Sequence, residues 1–249
     1  DRVLVSQGWA ATRAKAKHIL LAGEVYDERG RCLTQPGRRV SPKIKLVVKA
    51  GSQRFVSRGG LKLEAALNHF NVEVEDLICL DVGASTGGFS DCLLQNGARV
   101  VYAVDVGRDQ LAPSLRKDAR LQYLEGHNIR TLGCQEVPQK CDLVVIDVSF
   151  ISLRLVLPHL FKFLARPAVL VALVKPQFEV GASKVGKGGI VKSEDDRRIC
   201  VDSICQYVKE LDLEKIQTML SPVVGAKGNR EYLLKAEFNN ASRVDITGD

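Results

Sequence analysis

Leu80-Asp81-Val82-Gly83-Ala84-Ser85-Thr86-Gly87-Gly88-Phe89-Ser90 is the stretch whose reading decides the fold. A short apolar run, residues 77–80, leads into an acid, a glycine, small residues and a glycine pair, and an amphipathic segment, residues 89–95, follows. The order predicts a strand, a tight glycine turn and a helix. Such a turn lets backbone approach a nucleotide-like ligand at a helix N-terminus. The spacing is Gly-x-x-x-Gly-Gly, not the Gly-x-Gly-x-x-Gly of dinucleotide sites. A second acid, Asp105, closes the next apolar run, residues 100–104. Turn and acid together point to S-adenosylmethionine rather than NAD.

Working outward, candidate strands and helices alternate: 77–82, 88–95, 100–105, 121–124, 143–147, 153–163, 168–174, 195–210, 215–220 and 231–238. Near-continuous apolar runs such as Leu143-Val144-Val145-Ile146 suit strands buried on both faces. The alternation predicts an α/β fold, a mostly parallel sheet with helices on both faces. The last two strand candidates have no long helix between them, which permits an antiparallel hairpin at the sheet edge. Residues 239–249 are expected to fray.

Residues 1–54 read as a small separate module and 55–249 as the α/β domain. Thr12 is placed to cap a helix over 13–21, with Ala14, Ile19 and Leu20 apolar and Arg13, Lys15 and Lys17 basic. Ala22-Gly23 ends it. Short strands are expected at 24–26 and 45–49, with a turn at 27–31. Residues 50–60 read as a connector into a helix over 61–70, whose apolar positions are Leu61, Ala65, Leu67 and Phe70.

Charge follows this division. The chain's net charge is +7, but the first sixty residues carry 13 Lys+Arg against 4 Asp+Glu, and the rest is slightly acidic. A polyanion engaged by one end is expected. The seven cysteines form no Cys-x-x-Cys pair and the four histidines are scattered, so no metal is expected. Reduced thiols, the lack of a leader and the lack of an apolar run of membrane-spanning length point to a cytoplasmic protein.

Ligands of doubly wound sheets bind beyond the carboxyl ends of strands. Asp81, Asp105, Asn128 and Asp147 sit at such ends. Asp105 suits the two ribose hydroxyls of a nucleoside, and Asn128 an adenine edge. Asp81 and the turn Gly83, Ser85, Thr86, Gly87, Gly88 and Phe89 suit the methionine end, with Asp147 near a sulfonium. Lys175 ends the run 169–174 and points into the same crevice. Lys62 taken alone reads as a solvated helix lysine, and Glu231 taken alone as a surface acid.

Residues 2–49 resemble the αL-type RNA-binding module found in the small-subunit ribosomal protein S-four and in pseudouridine synthases, which implies that Arg13, Lys15 and Lys17 face RNA phosphates. Ser57-Arg58-Gly59-Gly60-Leu61-Lys62-Leu63, the 81–90 turn, Asp147-Val148-Ser149-Phe150-Ile151-Ser152-Leu153, Leu173-Val174-Lys175-Pro176-Gln177-Phe178-Glu179 and Gly186-Lys187-Gly188-Gly189-Ile190-Val191 are similar to the TlyA, or haemolysin A, family. Its members are FtsJ-type ribosomal RNA 2′-O-methyltransferases of the class I fold, using S-adenosylmethionine. The resemblance implies a Lys-Asp-Lys-Glu tetrad at Lys62, Asp147, Lys175 and Glu231. It further implies methylation of cytidine ribose in 16S or 23S rRNA, with ribosomal RNA or subunits as partner.

Two other classes compete. A non-catalytic RNA-binding or assembly factor would not need all four tetrad positions filled. A membrane-lysing protein, suggested by the family's older name, would want a spanning segment or a long amphipathic helix. Among base methylators, a cytosine C5 enzyme would want a Pro-Cys nucleophile and an N-methylator an Asn-Pro-Pro-Tyr-like clamp, and neither is present. Phe150 and Phe178 are candidates for stacking on a nucleotide.

Overall fold

A computed structural model describes residues 1–10, 12–21, 23–42, 44–48, 54–225 and 228–239. The expectations that fall on Ala22, on Lys49, on connector residues 50–53, on Ala226 and Lys227, and on the tail from 240 lie outside these residues.

The N-terminal part contains α1 (Arg2–Ser6), α2 (Arg13–Leu21), β1 (Val25–Asp27) and β2 (Leu46–Val48). Thr12 Oγ1 accepts from the Lys15 amide at 3.1 Å, which satisfies one orphan donor at the start of α2. β1 and β2 pair antiparallel, Val25 opposite Val48. A small core of Leu4, Ala10, Ala16, Ile19, Leu20, Val25, Leu33 and Leu46 holds the four elements together. α1 adds a helix to the sequence expectations, and α2 turns Ala16, Ile19 and Leu20 inward, with Ala14 exposed.

The rest is built on a seven-stranded sheet. Its elements in chain order are α3 (Gly59–Phe70), β3 (Ile78–Val82), α4 (Gly88–Gln95), β4 (Val100–Asp105), β5 (Leu121–Glu125), β6 (Cys141–Ile146), β7 (Leu164–Val174), α5 (Pro176–Glu179), α6 (Glu194–Glu210), β8 (Glu214–Leu220) and β9 (Tyr232–Phe238). The strand order is β5-β4-β3-β6-β7-β9-β8. β3 to β7 run parallel, and β9 and β8 complete the edge antiparallel. The order reverses between β3 and β6, the position where open α/β sheets hold their ligands.

Side-chain alternation along β6 divides the core. Leu143 and Val145 join Leu63, Leu67, Phe89 and Leu93 beneath α3 and α4. Val144 and Ile146 join Leu157, Leu160, Phe163, Ile204 and Val208 on the α6 side. α6 starts where Ser193 Oγ accepts from the Asp196 amide at 3.1 Å, with Glu194, Asp195 and Asp196 in the first turn facing the positive helix end.

Two further expectations change. Residues 153–163 form three short 3₁₀ turns, 153–155, 157–159 and 161–163, rather than one helix. Pro158 lacks an amide proton and its ring would clash with the carbonyl four residues back, so the chain closes bonds three residues apart instead, such as His159 N to Val156 O at 3.1 Å. α3 begins two residues earlier than expected and turns Leu63, Ala66, Leu67 and Phe70 inward, while Leu61 is exposed.

At the sheet edge, Glu237 lies 2.7 Å from Lys215 on β8 and 2.6 Å from Lys235. These two ammonium groups hold its carboxyl down to about 2 from an ordinary 4.5. The stability it contributes is therefore complete above pH 4.5 and is lost as pH falls towards 2. Glu237→Gln should flatten the acid limb of the Tm–pH profile in that window. The difference should shrink in high salt, because Lys215 is exposed.

Candidate active site

Strand register brings the candidate residues together. Val82 pairs with Ile146, so Asp147 emerges beside the Gly83 turn, with its amide donating to Val82 O at 2.9 Å. β7 follows on the other side of β6, with Ile146 opposite Ala172. Val174 pairs with Tyr232, which sets Lys175 across from Glu231. α3 packs against β9 and brings Lys62 to Glu231.

Two ion pairs result. Lys62 Nζ donates to Glu231 Oε2 at 2.6 Å, and the residues are 9 % and 3 % exposed. Lys62 is thus buried and paired, which overturns its reading as a solvated lysine. Glu231 is likewise no surface acid. Lys175 Nζ lies 2.5 Å from Asp147 Oδ1 and donates to Ser149 Oγ at 2.9 Å. Burial pushes the Asp147 carboxyl up, but the charges of Lys175 and Lys62 outweigh it and leave it below its ordinary value.

All four side chains line one crevice of about 870 Å³. Gly83, Ser85, Thr86, Gly88 and Phe89 form its wall on the glycine-turn side, and residues 34–38 of the N-terminal part contribute to its rim. Gly83 has φ +89, and a Cβ there would sit 2.6 Å from the Asp147 carbonyl oxygen. Only glycine allows β3 to turn this close to β6. Gly87 also has a positive φ and is backed by Leu111 and Leu115.

The other strand-end residues differ in placement. Asp105 accepts from the Ser85 amide at 2.8 Å and the Gly107 amide at 2.6 Å, one on each oxygen. Each oxygen keeps a lone pair, which fits a vicinal diol. Asn128 accepts from the Arg130 amide at 3.1 Å through its side-chain oxygen, so what it can offer a ligand is its NH₂. Asp81 does not reach the crevice surface. It is fully buried under α4, accepts from Ser90 Oγ at 2.6 Å, and burial raises it to about 7. It sits one residue inside β3 rather than past its end, so strand alternation turns it towards α4.

Sequence reasoning missed Ser149, the neutral partner of Lys175, although it lies two residues past Asp147 in a quoted motif. It also missed Asn229, which donates to Gly189 O at 2.8 Å and accepts from the Val191 amide at 3.2 Å. That amide ties the 186–191 segment to the turn before Glu231. Among the described residues no group of three or more His, Cys, Asp or Glu is placed to hold a metal ion. No helix among them is long and apolar enough to cross a membrane. On the basic helix, Arg13 pairs with Asp1 at 2.8 Å, and Lys15 and Lys17 are exposed.

A family model described as FtsJ-like methyltransferase matches residues 55–238. The chain belongs to the FtsJ-like methyltransferase family. It is 44 % identical over 235 residues to the 16S/23S rRNA (cytidine-2′-O)-methyltransferase TlyA of Mycobacterium tuberculosis, covering 94 % of this chain and 87 % of that one. It is 39 % identical to Hemolysin A of Brachyspira hyodysenteriae, covering 94 % and 97 %. A solved structure from Streptococcus thermophilus, which bears a provisional hemolysin name, is 40 % identical with a TM-score of 0.75, covering 98 % of this chain and 89 % of that one. The fold extends to an S-adenosylmethionine-dependent methyltransferase of Mesorhizobium loti, at 14 % identity and TM-score 0.51, covering 70 % and 96 %. The family and the fold expected from the sequence are therefore both present.

The Lys62–Glu231 pair joins positions 169 residues apart in a buried setting. Removing one member strands the other's charge, which costs on the order of 3 kcal/mol. Glu231→Ala should lower the unfolding free energy by about that amount. The double variant Lys62→Met with Glu231→Leu should lose less than Glu231→Ala alone, and urea titration of the three proteins checks the order.

Proposed function

We propose that this protein transfers a methyl group from S-adenosylmethionine to the ribose 2′-hydroxyl of a cytidine in ribosomal RNA, 16S, 23S or both. The observation that carries the reading is the convergence of two lysine–carboxylate pairs, Lys62–Glu231 and Lys175–Asp147, on one crevice beside the glycine turn. Membership of the FtsJ-like family and the printed activity of the Mycobacterium tuberculosis relative support it.

The residues present fit the methyl donor. The turn of Gly83, Ser85, Thr86, Gly87, Gly88 and Phe89 gives close backbone approach, Asp105 has lone pairs for two ribose hydroxyls, and Asn128 has an amide for the base. Asp81 acts from beneath, by fixing Ser90 and the start of α4. When bound, S-adenosylmethionine supplies a methyl on a sulfonium whose sulfur keeps the carbon–sulfur electron pair as the methyl leaves. Asp147 places a carboxylate at that end of the crevice.

A ribose hydroxyl is a weak acid and needs help to attack. Once Lys175 has given a proton to solvent, its amine takes the hydroxyl proton while the oxygen–carbon bond forms. Lys62, fixed by Glu231, sets a cation in the same crevice and favours negative charge building on that oxygen. Asp147 orients Lys175. Positioning of the hydroxyl in line with the methyl supplies much of the remaining acceleration. Phe150, 82 % exposed and 5.0 Å from the Phe178 ring, offers the nucleotide base an aromatic face.

Residues 1–54 form the RNA-binding unit in this reading and 55–249 the methyltransferase unit. Lys15 and Lys17, with Arg13, meet RNA phosphates, which position the substrate without reading its sequence. In this reading the protein acts in the cytoplasm, where its ribosomal RNA substrate is.

Incubation with labelled S-adenosylmethionine and small subunits, large subunits or free rRNA, then nuclease digestion and mass spectrometry, tests the reading. Label on the 2′-oxygen of a cytidine is expected, and label on a base overturns it. Lys175→Ala should lower turnover at least about a hundredfold while S-adenosylhomocysteine still binds. Near-wild-type turnover of that variant would sink the assignment of Lys175. Leakage of lipid vesicles caused by the purified protein without methyl donor would favour the lytic alternative instead.

A further inference from the structure

We propose that Ser149 and Glu179 are positioning residues for Lys175: Ser149 fixes the direction of its amine, and Glu179 holds the loop that carries Ser149. The proposal rests on the reading of Lys175 as the proton acceptor.

Two segments leave neighbouring parallel strands side by side. Residues 147–153 follow β6 and residues 175–179 follow β7. They are bonded at both ends. At the near end, Lys175 Nζ meets Asp147 Oδ1 at 2.5 Å and Ser149 Oγ at 2.9 Å. At the far end, Glu179 Oε2 accepts from Ser152 Oγ at 2.6 Å and Glu179 Oε1 accepts from the Leu153 amide at 2.7 Å. Ser152 Oγ also accepts from the Arg154 amide at 3.1 Å and so caps the 3₁₀ turn that follows. The result is a closed ring through Lys175, α5, Glu179, Ser152 and Ser149.

Between the two ends Phe150 has φ +65. A non-glycine residue in this left-handed region persists only where its surroundings over-determine it. The Glu179 bonds supply that constraint on one side and the Lys175 contacts on the other. Glu179 is partly buried and its carboxyl is pushed up by that burial, but its two acceptor bonds involve both oxygens and leave neither idle.

The ring has a consequence for proton transfer. A lysine ammonium has three tetrahedral N–H positions and no acceptor. The ion pair with Asp147 and the hydrogen bond to Ser149 Oγ draw the amine towards the loop, while Lys175 itself lines the crevice. A proton not held by Ser149 passes to solvent before the RNA hydroxyl arrives, and the lone pair left on Nζ is then open to that hydroxyl. The hydroxyl proton then moves to this lone pair as the oxygen bonds the methyl carbon. Without Ser149 the amine rotates about Cε–Nζ, and the lone pair spends most of its time elsewhere. Misplacement of a reacting group by about an ångström costs on the order of a hundredfold in rate, so partial loss of direction should cost roughly tenfold.

The test uses the full chain with ribosomal subunits. Ser149→Ala should lower kcat roughly tenfold, with the KM for S-adenosylmethionine and the affinity for S-adenosylhomocysteine within about twofold of wild type. Ser149→Thr keeps the hydroxyl and should recover most of the rate. Glu179→Ala should lower kcat in the same way, and Glu179→Gln, which keeps an acceptor for the Leu153 amide, should recover part of it. Neither Ser149→Ala nor Glu179→Ala should lower the residual rate further in a Lys175→Ala background. Wild-type kcat in Ser149→Ala, or Ser149→Thr as slow as Ser149→Ala, overturns the proposal. Ser149 is exposed, so its variants are read even if Glu179→Ala fails to fold. Full activity of Lys175→Ala alone would instead overturn the assignment of Lys175 on which the proposal rests.

Discussion

The buried contact between Lys62 and Glu231 is the constraint on which the site depends. Removing two charges from water is costly, and the cost is offset only where geometry holds the pair together. That geometry requires α3 against one sheet face and β9 in register with β7. A one-residue slip of β9 turns every one of its side chains to the opposite face, and a one-residue shift of α3 rotates its inward face by about 100°. The pair therefore contributes less as a source of stability than as a test that the sheet edge and its covering helix are correctly matched.

A second group of constraints acts at the strand ends. Asp147, Lys175 and Glu231 each stand at or just past a strand end, on three adjacent strands. Parallel pairing of β6 with β7 and antiparallel pairing of β7 with β9 bring those ends to one level. The glycine at 83 then lets the neighbouring strand turn against the Asp147 backbone. Neither interaction needs the other residues to be unusual. Ordinary sheet register puts common side chains close enough to form two ion pairs.

How much of this was legible in the sequence depended on range. Runs such as 143–146 and 169–174 showed buried strands, because a strand covered on both faces must be apolar throughout. The glycine turn and Asp105 point to a nucleotide-type site through local signals, and of the two the turn lines the crevice while Asp105 is not among its lining residues. Pro158 breaks the helix that the apolar pattern over 153–163 implies, because its ring cannot donate the bond a helix needs there. Ala14 and Leu61 are apolar in the sequence pattern, but Ala16 and Leu63 are the residues that face the core. Lys62 was the hardest. Its burial is decided by an acid 169 residues away, which no window of sequence around it contains. Only the resemblance to a family with that tetrad supplied the link. Asp81 shows the opposite error, because strand-end acids were treated alike although alternation turns this one towards α4.

β9 is the last strand among the described residues and lies between β7 and β8 in the sheet. A chain still being made has its glycine turn, its Asp147 and its Lys175 long before it has Glu231. Until β9 inserts, the sheet ends at β7 and Lys62 has no counter-ion. Non-local pairings of this kind form late, since a long loop must close first. The glycine turn and the Lys175–Asp147 pair are thus completed before the Lys62–Glu231 pair during synthesis, and a partly made copy lacks the carboxylate that fixes Lys62.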